Sequence, residues 1–95
     1  MKRFDQINEK KKQLREEILR YLIAHPNAQD TVTGIVNWWF LERPIKPRTA
    51  LVEEVLKKLV ADGLMIAHKG SDSQTRYKIN RSRREEIISL LQQSS

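Results

Sequence analysis

Six cations crowd one stretch of this 95-residue sequence: over residues 63–84, Lys69, Arg76, Lys78, Arg81, Arg83 and Arg84 face the single acid Asp72. That net +5, in a chain of formal charge +6 and pI about 9.9, is the sharpest chemical signal present. Flexible cations around a short polar connection are what contact with phosphate oxygens requires, so a polyanionic partner, nucleic acid above all, is the expectation. A weaker excess lies in residues 1–20, with seven basic side chains against four acidic ones. The hairpin charges also have a plainer use, keeping a surface strand from pairing edge to edge with a neighbour.

Residues able to catalyse or to hold a metal are present but poorly spaced. Glu16-Glu17, Glu53-Glu54 and Glu85-Glu86 are adjacent pairs; on a helix neighbours diverge by about 100°, so no pair can face one substrate as acid and base. His25 and His68 stand apart, and there is no cysteine to complete a metal site around either. The glycines Gly34, Gly63 and Gly70 are too scattered for a phosphate-cradling loop. No enzyme activity, cofactor, metal or small-molecule ligand is expected. Trp38 and Trp39 could stack on bases, but Trp39 falls in an apolar stripe and is expected in the core.

At this length and 39% apolar content the chain can bury one modest core, and a single domain is expected. Such a core stabilises narrowly, and pairing with a second copy would reinforce it, so a homodimer is expected. The charged start, with Lys2, Arg3, Asp5 and Glu9, lacks the apolar stretch of a secretory signal. No run approaches the roughly 18 apolar residues of a membrane span. The expectation is a soluble cytoplasmic protein, nucleoid-associated if it binds DNA.

These side chains must be positioned by local elements. Phe4, Ile7, Leu14, Ile18, Tyr21 and Leu22 recur at threes and fours, which predicts an amphipathic helix ending near Ala24 or His25, before Pro26. The positions 4, 7, 11, 14, 18 and 21 have heptad spacing, with Lys11 the polar interruption, so the first half, residues 1–13, reads either as an extension beyond the domain where Phe4 and Ile7 meet a partner helix or as a solvated, frayed one. Asp30 or Thr31 can cap a second helix whose core arc is Val32, Ile35, Val36, Trp39 and Phe40. Trp38 and Leu41 fall on another face with Gly34, so this helix is expected to be covered twice, by the core and by a terminal helix or a second subunit.

Pro47 suits the first turn of a third helix burying Leu51, Val52, Val55, Leu56 and Leu59 and closed by Gly63. Beyond it the period becomes alternating. Leu64, Ile66 and His68 are expected on one face of a strand, matched by Tyr77 and Ile79 on a return strand, with Arg76 and Lys78 pointing the other way. Lys69 to Gln74 is expected to be a flexible tip. Ser82 and Glu85 have capping-box spacing ahead of a final helix carrying Ile87, Ile88, Leu90 and Leu91.

Helix, helix, tight turn, a helix ending in Gly63-Leu64, then a hairpin with a basic loop: in this order the chain resembles the winged helix-turn-helix family. The residues carrying the resemblance are Leu56-Lys57-Lys58-Leu59-Val60-Ala61-Asp62-Gly63-Leu64-Met65 and Thr75-Arg76-Tyr77-Lys78-Ile79. It implies a mainly α, α+β fold: a three-helix core, a hairpin wing and a C-terminal helix, with boundaries at 1–13, 14–80 and 81–95. It also implies a double-stranded DNA-binding transcriptional regulator or accessory factor, of the small prokaryotic kind, with helix three in the major groove and the wing on the adjacent backbone. Residue by residue, Lys46, Arg48, Thr49, Lys69, Arg76, Lys78 and Arg81 would contact DNA. Glu53 and Glu54 on the approach face would repel phosphates, which leaves base reading by this helix open. The competing expectation is a protein-interaction module using Phe4, Ile7, Trp38, Leu41, Ile87, Leu90 and Leu91, since such folds also serve as docking domains.

Overall fold

The computed structural model describes the backbone of residues 2–44 and 46–93, and side chains from Asn8 onward within those spans. Its first helix, α1 (Lys2–Ala24), packs Leu14, Ile18, Leu19 and Leu22 inward and ends where the sequence predicts. The last turn closes with the His25 N–H donating to the Tyr21 carbonyl at 2.8 Å, and the chain turns through Pro26 and Asn27. Leu14 is the first buried side chain described, and residues 8–13 ahead of it are exposed or half-buried. The side chains of Phe4 and Ile7, expected at a partner interface, lie outside the described residues.

Two residues, Gln29–Asp30, form β1, which periodicity does not reveal. Thr31 caps the next helix, its hydroxyl accepting from the Gly34 N–H at 3.2 Å. Only Val32–Gly34 of this α2 is α-helical; Ile35–Trp39 continues as a π turn. Bonding to the fifth residue widens the turn, so positions five apart lie closer to one face than they would in an α-helix. Ile35 and Phe40 accordingly both enter the core, Val32 and Trp39 pack at its margin, and Trp38 is left outside. Gly34 packs directly against Asp30: a Cβ here would displace the Asp30 carboxylate, which accepts from the Thr31 N–H.

The third helix, α3 (Thr49–Ala61), buries Val52, Val55, Leu56 and Leu59. Pro47 stands before its N-cap, Arg48, rather than in its first turn. At the other end Gly63 adopts φ +80°, with the Leu64 N–H donating to Leu59 and the Gly63 N–H to Val60, both at 3.0 Å. This is a Schellman cap, and Leu59 and Leu64, which it brings together, are both buried in the core.

That cap shifts the hairpin phase by one residue from the expectation. Leu64 belongs to the cap and Met65 begins β2 (Met65–Lys69), so both are buried in succession. In the antiparallel register Met65 opposes Ile79 and Ala67 opposes Tyr77 of β3 (Thr75–Ile79), placing Met65, Tyr77 and Ile79 toward the core. Ile66 and His68, expected inward, face out with Lys78 and Arg76, their cross-strand partners. The sheet order is β1-β3-β2.

After β3, Asn80 caps a short 3-10 turn, Arg81–Arg83, and α4 (Arg84–Gln93) follows. The expected capping box does not form: the Ser82 hydroxyl and N–H both donate to Asn80 Oδ1. Ile87 of α4 is fully buried in the same core as Ile18 and Leu56. The described chain is thus a mixed α+β arrangement of four helices around one face of a three-stranded antiparallel sheet.

Candidate nucleic-acid interface

The residues expected on DNA divide into three settings. At the start of α3, Lys46, Arg48 and Thr49 are all exposed. No side chain caps the helix and no acid lies in its first turn. The first amide N–H groups bonded there are those of Leu51 and Val52, both to the Arg48 carbonyl, so the N–H groups of Thr49 and Ala50 and the helix dipole favour an anion at this end. The acids farther along the face are occupied. Glu53 accepts from Lys57 at 3.3 Å, and Glu54 from Lys11 of α1 at 2.8 Å. Lys58 pairs with Asp62 at the far end of the helix.

At the hairpin tip the structure replaces the expected flexible loop with a cross-braced turn. The Gly70 N–H donates to the Gln74 carbonyl at 2.9 Å, the Ser73 N–H to Gly70 at 3.0 Å, and Ser73 takes the left-handed conformation, φ 67°. Both Arg76 terminal nitrogens donate to the Asp72 carboxylate, at 3.0 and 2.8 Å. The guanidinium fork, helped by the Gln74 N–H, holds the Asp72 pKa down to about 2; Asp72 in turn raises that of Arg76. Arg76 therefore acts first as a brace, whereas Lys69 is exposed and, among the described residues, makes no ion pair.

The third setting is the outer face of the sheet. Lys78 lies there between Ile66 on one side and Gln29 on the other, in register. His68 Nε2 and Gln29 Oε1 meet at 3.0 Å, spanning β3 from one flanking strand to the other. Arg81 donates to the Pro26 carbonyl and to Asn27 Oδ1, both uncharged, so its charge is anchored but not neutralised. Arg83, expected as a further free cation, is instead structural: it donates to the Asp62 carbonyl at the end of α3, at 2.8 Å, and to Glu86.

The residues expected at a partner interface scatter. Trp38 and Leu41 are 67% and 57% exposed, so the second cover expected over α2 is not supplied by the terminal helices. Ile87 is the clearest correction: at 0% exposure it anchors α4 to the core and cannot reach a partner. Leu90 and Leu91 are half-buried against the same core. Trp39 stacks on Tyr21 at 4.5 Å, and Tyr21 on His25 at 4.3 Å, a three-ring ladder that helical spacing alone does not reveal.

Among the described residues, no three His, Cys, Asp or Glu side chains gather as metal ligands. None of the described helices is long and apolar enough to cross a membrane. No protein-family model matches this chain, and no curated protein or solved structure is detectably similar to it, so no relative lends it a function.

Proposed function

We propose that the chain is a winged helix-turn-helix protein that binds double-stranded DNA, as a transcriptional regulator or accessory factor, with α3 in the major groove and the β2–β3 hairpin as the wing. The observation that carries this reading is the start of α3, where Lys46 and Arg48 stand exposed beside an uncapped helix end while Glu53 and Glu54 are tied to lysines. The acids that argue against phosphate approach thus bring their own counter-charges. The order of helices and hairpin supports it further, as does the cap at Gly63 that fixes the hairpin against α3. In this reading Lys46 and Lys69 hold phosphates, and Arg48 and Thr49 approach base edges.

The test is a duplex titration across salt concentrations. Removing two phosphate contacts with Lys46→Ala and Lys69→Ala lowers the salt slope by about 1.8, and affinity at 0.1 M salt by about sixtyfold for any sequence. An unchanged slope in the double variant refutes the assignment.

One observation favours a second reading, a protein-docking module: Trp38 and Leu41 are large, apolar and exposed. Absence of duplex binding by the wild-type protein at low salt selects it, and a solution mass that falls to that of the monomer on Trp38→Gln identifies a second copy as the partner.

A further inference from the structure

We infer that the outer face of the sheet carries a separate seat for one nucleotide of a single-stranded nucleic acid, with Lys78 and Arg81 holding its phosphate and Ile66 lying under its base. This goes beyond the duplex reading and does not depend on it: Lys46, Arg48, Thr49 and Lys69, to which that reading gives the duplex contacts, lie outside the groove, whereas Lys78 and Arg81, expected on duplex DNA from the sequence, line it.

The seat is an open groove of about 490 Å³ between the turn after α1 and the junction of β3 with the 3-10 turn, within the range of small-ligand clefts, about 300–1,000 Å³. Lys78 and Arg81 line it, and no Asp or Glu does. Lys78 makes no ion pair among the described residues, and Arg81 is held in place by neutral oxygens. Two cations without a carboxylate in one concavity specify an anion.

The rest of the lining distinguishes a nucleotide from a bare anion. Ile66 is 39% exposed in register with Lys78, so an apolar surface lies one strand away from the charge. Asn27 and Gln29 add amide N–H groups that can donate at the edge of a base, their oxygens being taken by Arg81 and His68, while the Asn80 amide is already bonded to Gly63 and Ser82. A duplex keeps its bases stacked and turns only its backbone outward, whereas a single strand can lay a splayed base on Ile66 while its phosphate meets Lys78. With an aliphatic rather than aromatic platform, little sequence preference is expected.

The test is anisotropy of labelled dT12 and U12, with a labelled mixed duplex in parallel, for the full chain and its Lys78→Gln and Ile66→Ser variants. Both positions are on the solvent face of the sheet, and circular dichroism checks that each variant stays folded. Lys78→Gln is expected to lower the single-strand salt slope by about 0.7 and the affinity at 0.1 M salt about fivefold; Ile66→Ser weakens binding and leaves the slope unchanged. Amide shifts on adding dT12 should centre on Asn27–Gln29, Ile66 and Lys78–Ser82.

Single-strand binding untouched by both substitutions overturns the inference. So does full displacement of dT12 by inorganic phosphate at matched ionic strength, which would mark a simple anion seat. Loss of duplex binding alone in the Lys46→Ala, Lys69→Ala variant leaves this seat standing, so the two proposals fail separately.

Discussion

Replacing Gly63 with alanine probes the joint that sets the hairpin on α3. Gly63 holds φ +80°, a conformation that costs an L-residue about 1–2 kcal/mol. The new Cβ would also stand 2.3 Å from Nη1 of Arg83. That nitrogen ends a flexible side chain, so the clash is relieved by swinging the guanidinium aside. What is then lost is its 2.8 Å bond to the Asp62 carbonyl, about 1 kcal/mol. The expected destabilisation is about 2–3 kcal/mol. With an unfolding entropy near 2.1 cal/mol/K per residue, or about 200 cal/mol/K for a chain of this size, the thermal midpoint falls by roughly 10–15 °C. Far-UV circular dichroism through a thermal ramp measures it. Arg83→Ala, which removes the bond without the backbone strain, should fall by about 5 °C. Gly63→Asn should cost less than alanine, because asparagine tolerates the left-handed region better. A Gly63→Ala midpoint within about 2 °C of the parent refutes the reasoning, since both backbone strain and side-chain displacement would have to be absent.

The remaining predictions concern the hairpin brace and the paired tryptophans. Asp72 should titrate at about 2 rather than its ordinary 3.8 in a carboxyl-detected NMR titration, because Arg76 favours its charged form. Its folded pKa being depressed, the stability it confers is present above about pH 4 and is lost as pH falls toward 2; a midpoint near 3.8 would mean the brace is open in solution. Asp72→Asn releases Arg76 for phosphate and should steepen the duplex salt slope by up to about 0.9. Trp38→Gln should leave the unfolding free energy of the monomer within about 0.5 kcal/mol, as expected of a side chain 67% exposed. Trp39→Ala loses the Tyr21 stack and its core contacts and should cost about 2 kcal/mol by urea titration.

Periodicity alone located α1, α3, α4 and the hairpin, because each carries a long enough run of one period: Leu14, Ile18 and Leu22; Val52, Val55, Leu56 and Leu59; Tyr77 and Ile79. Pro26 and Gly63 marked helix ends for local reasons, a steric restriction on the preceding residue and freedom at positive φ, so both could be read without any tertiary knowledge. The cation-rich segment was equally plain. The sequence did not disclose the partners of those cations. Asp72 braces Arg76 across a turn and Glu86 takes Arg83, just as, outside the segment, Asp62 takes Lys58 and Lys11 reaches Glu54 from another helix.

The expected phase of β2 failed at a single residue. Leu64, Ile66 and His68 alternate convincingly, but alternation counts from the first residue in strand geometry, and the bond from the Leu64 N–H to Leu59 keeps Leu64 in the cap. A one-residue change of phase turns every side chain of a strand over. Ile66 and His68 thereby join Lys78 outside, and β1 crosses from the far side of the chain to pair with β3. Sequence by itself determined the helices, the hairpin and the sign and place of the charge, since these depend on neighbours in the chain. Tertiary structure decided which cations are already paired, which are anchored and which lie open in one groove, because those outcomes depend on contacts between residues as distant as Pro26 and Arg81.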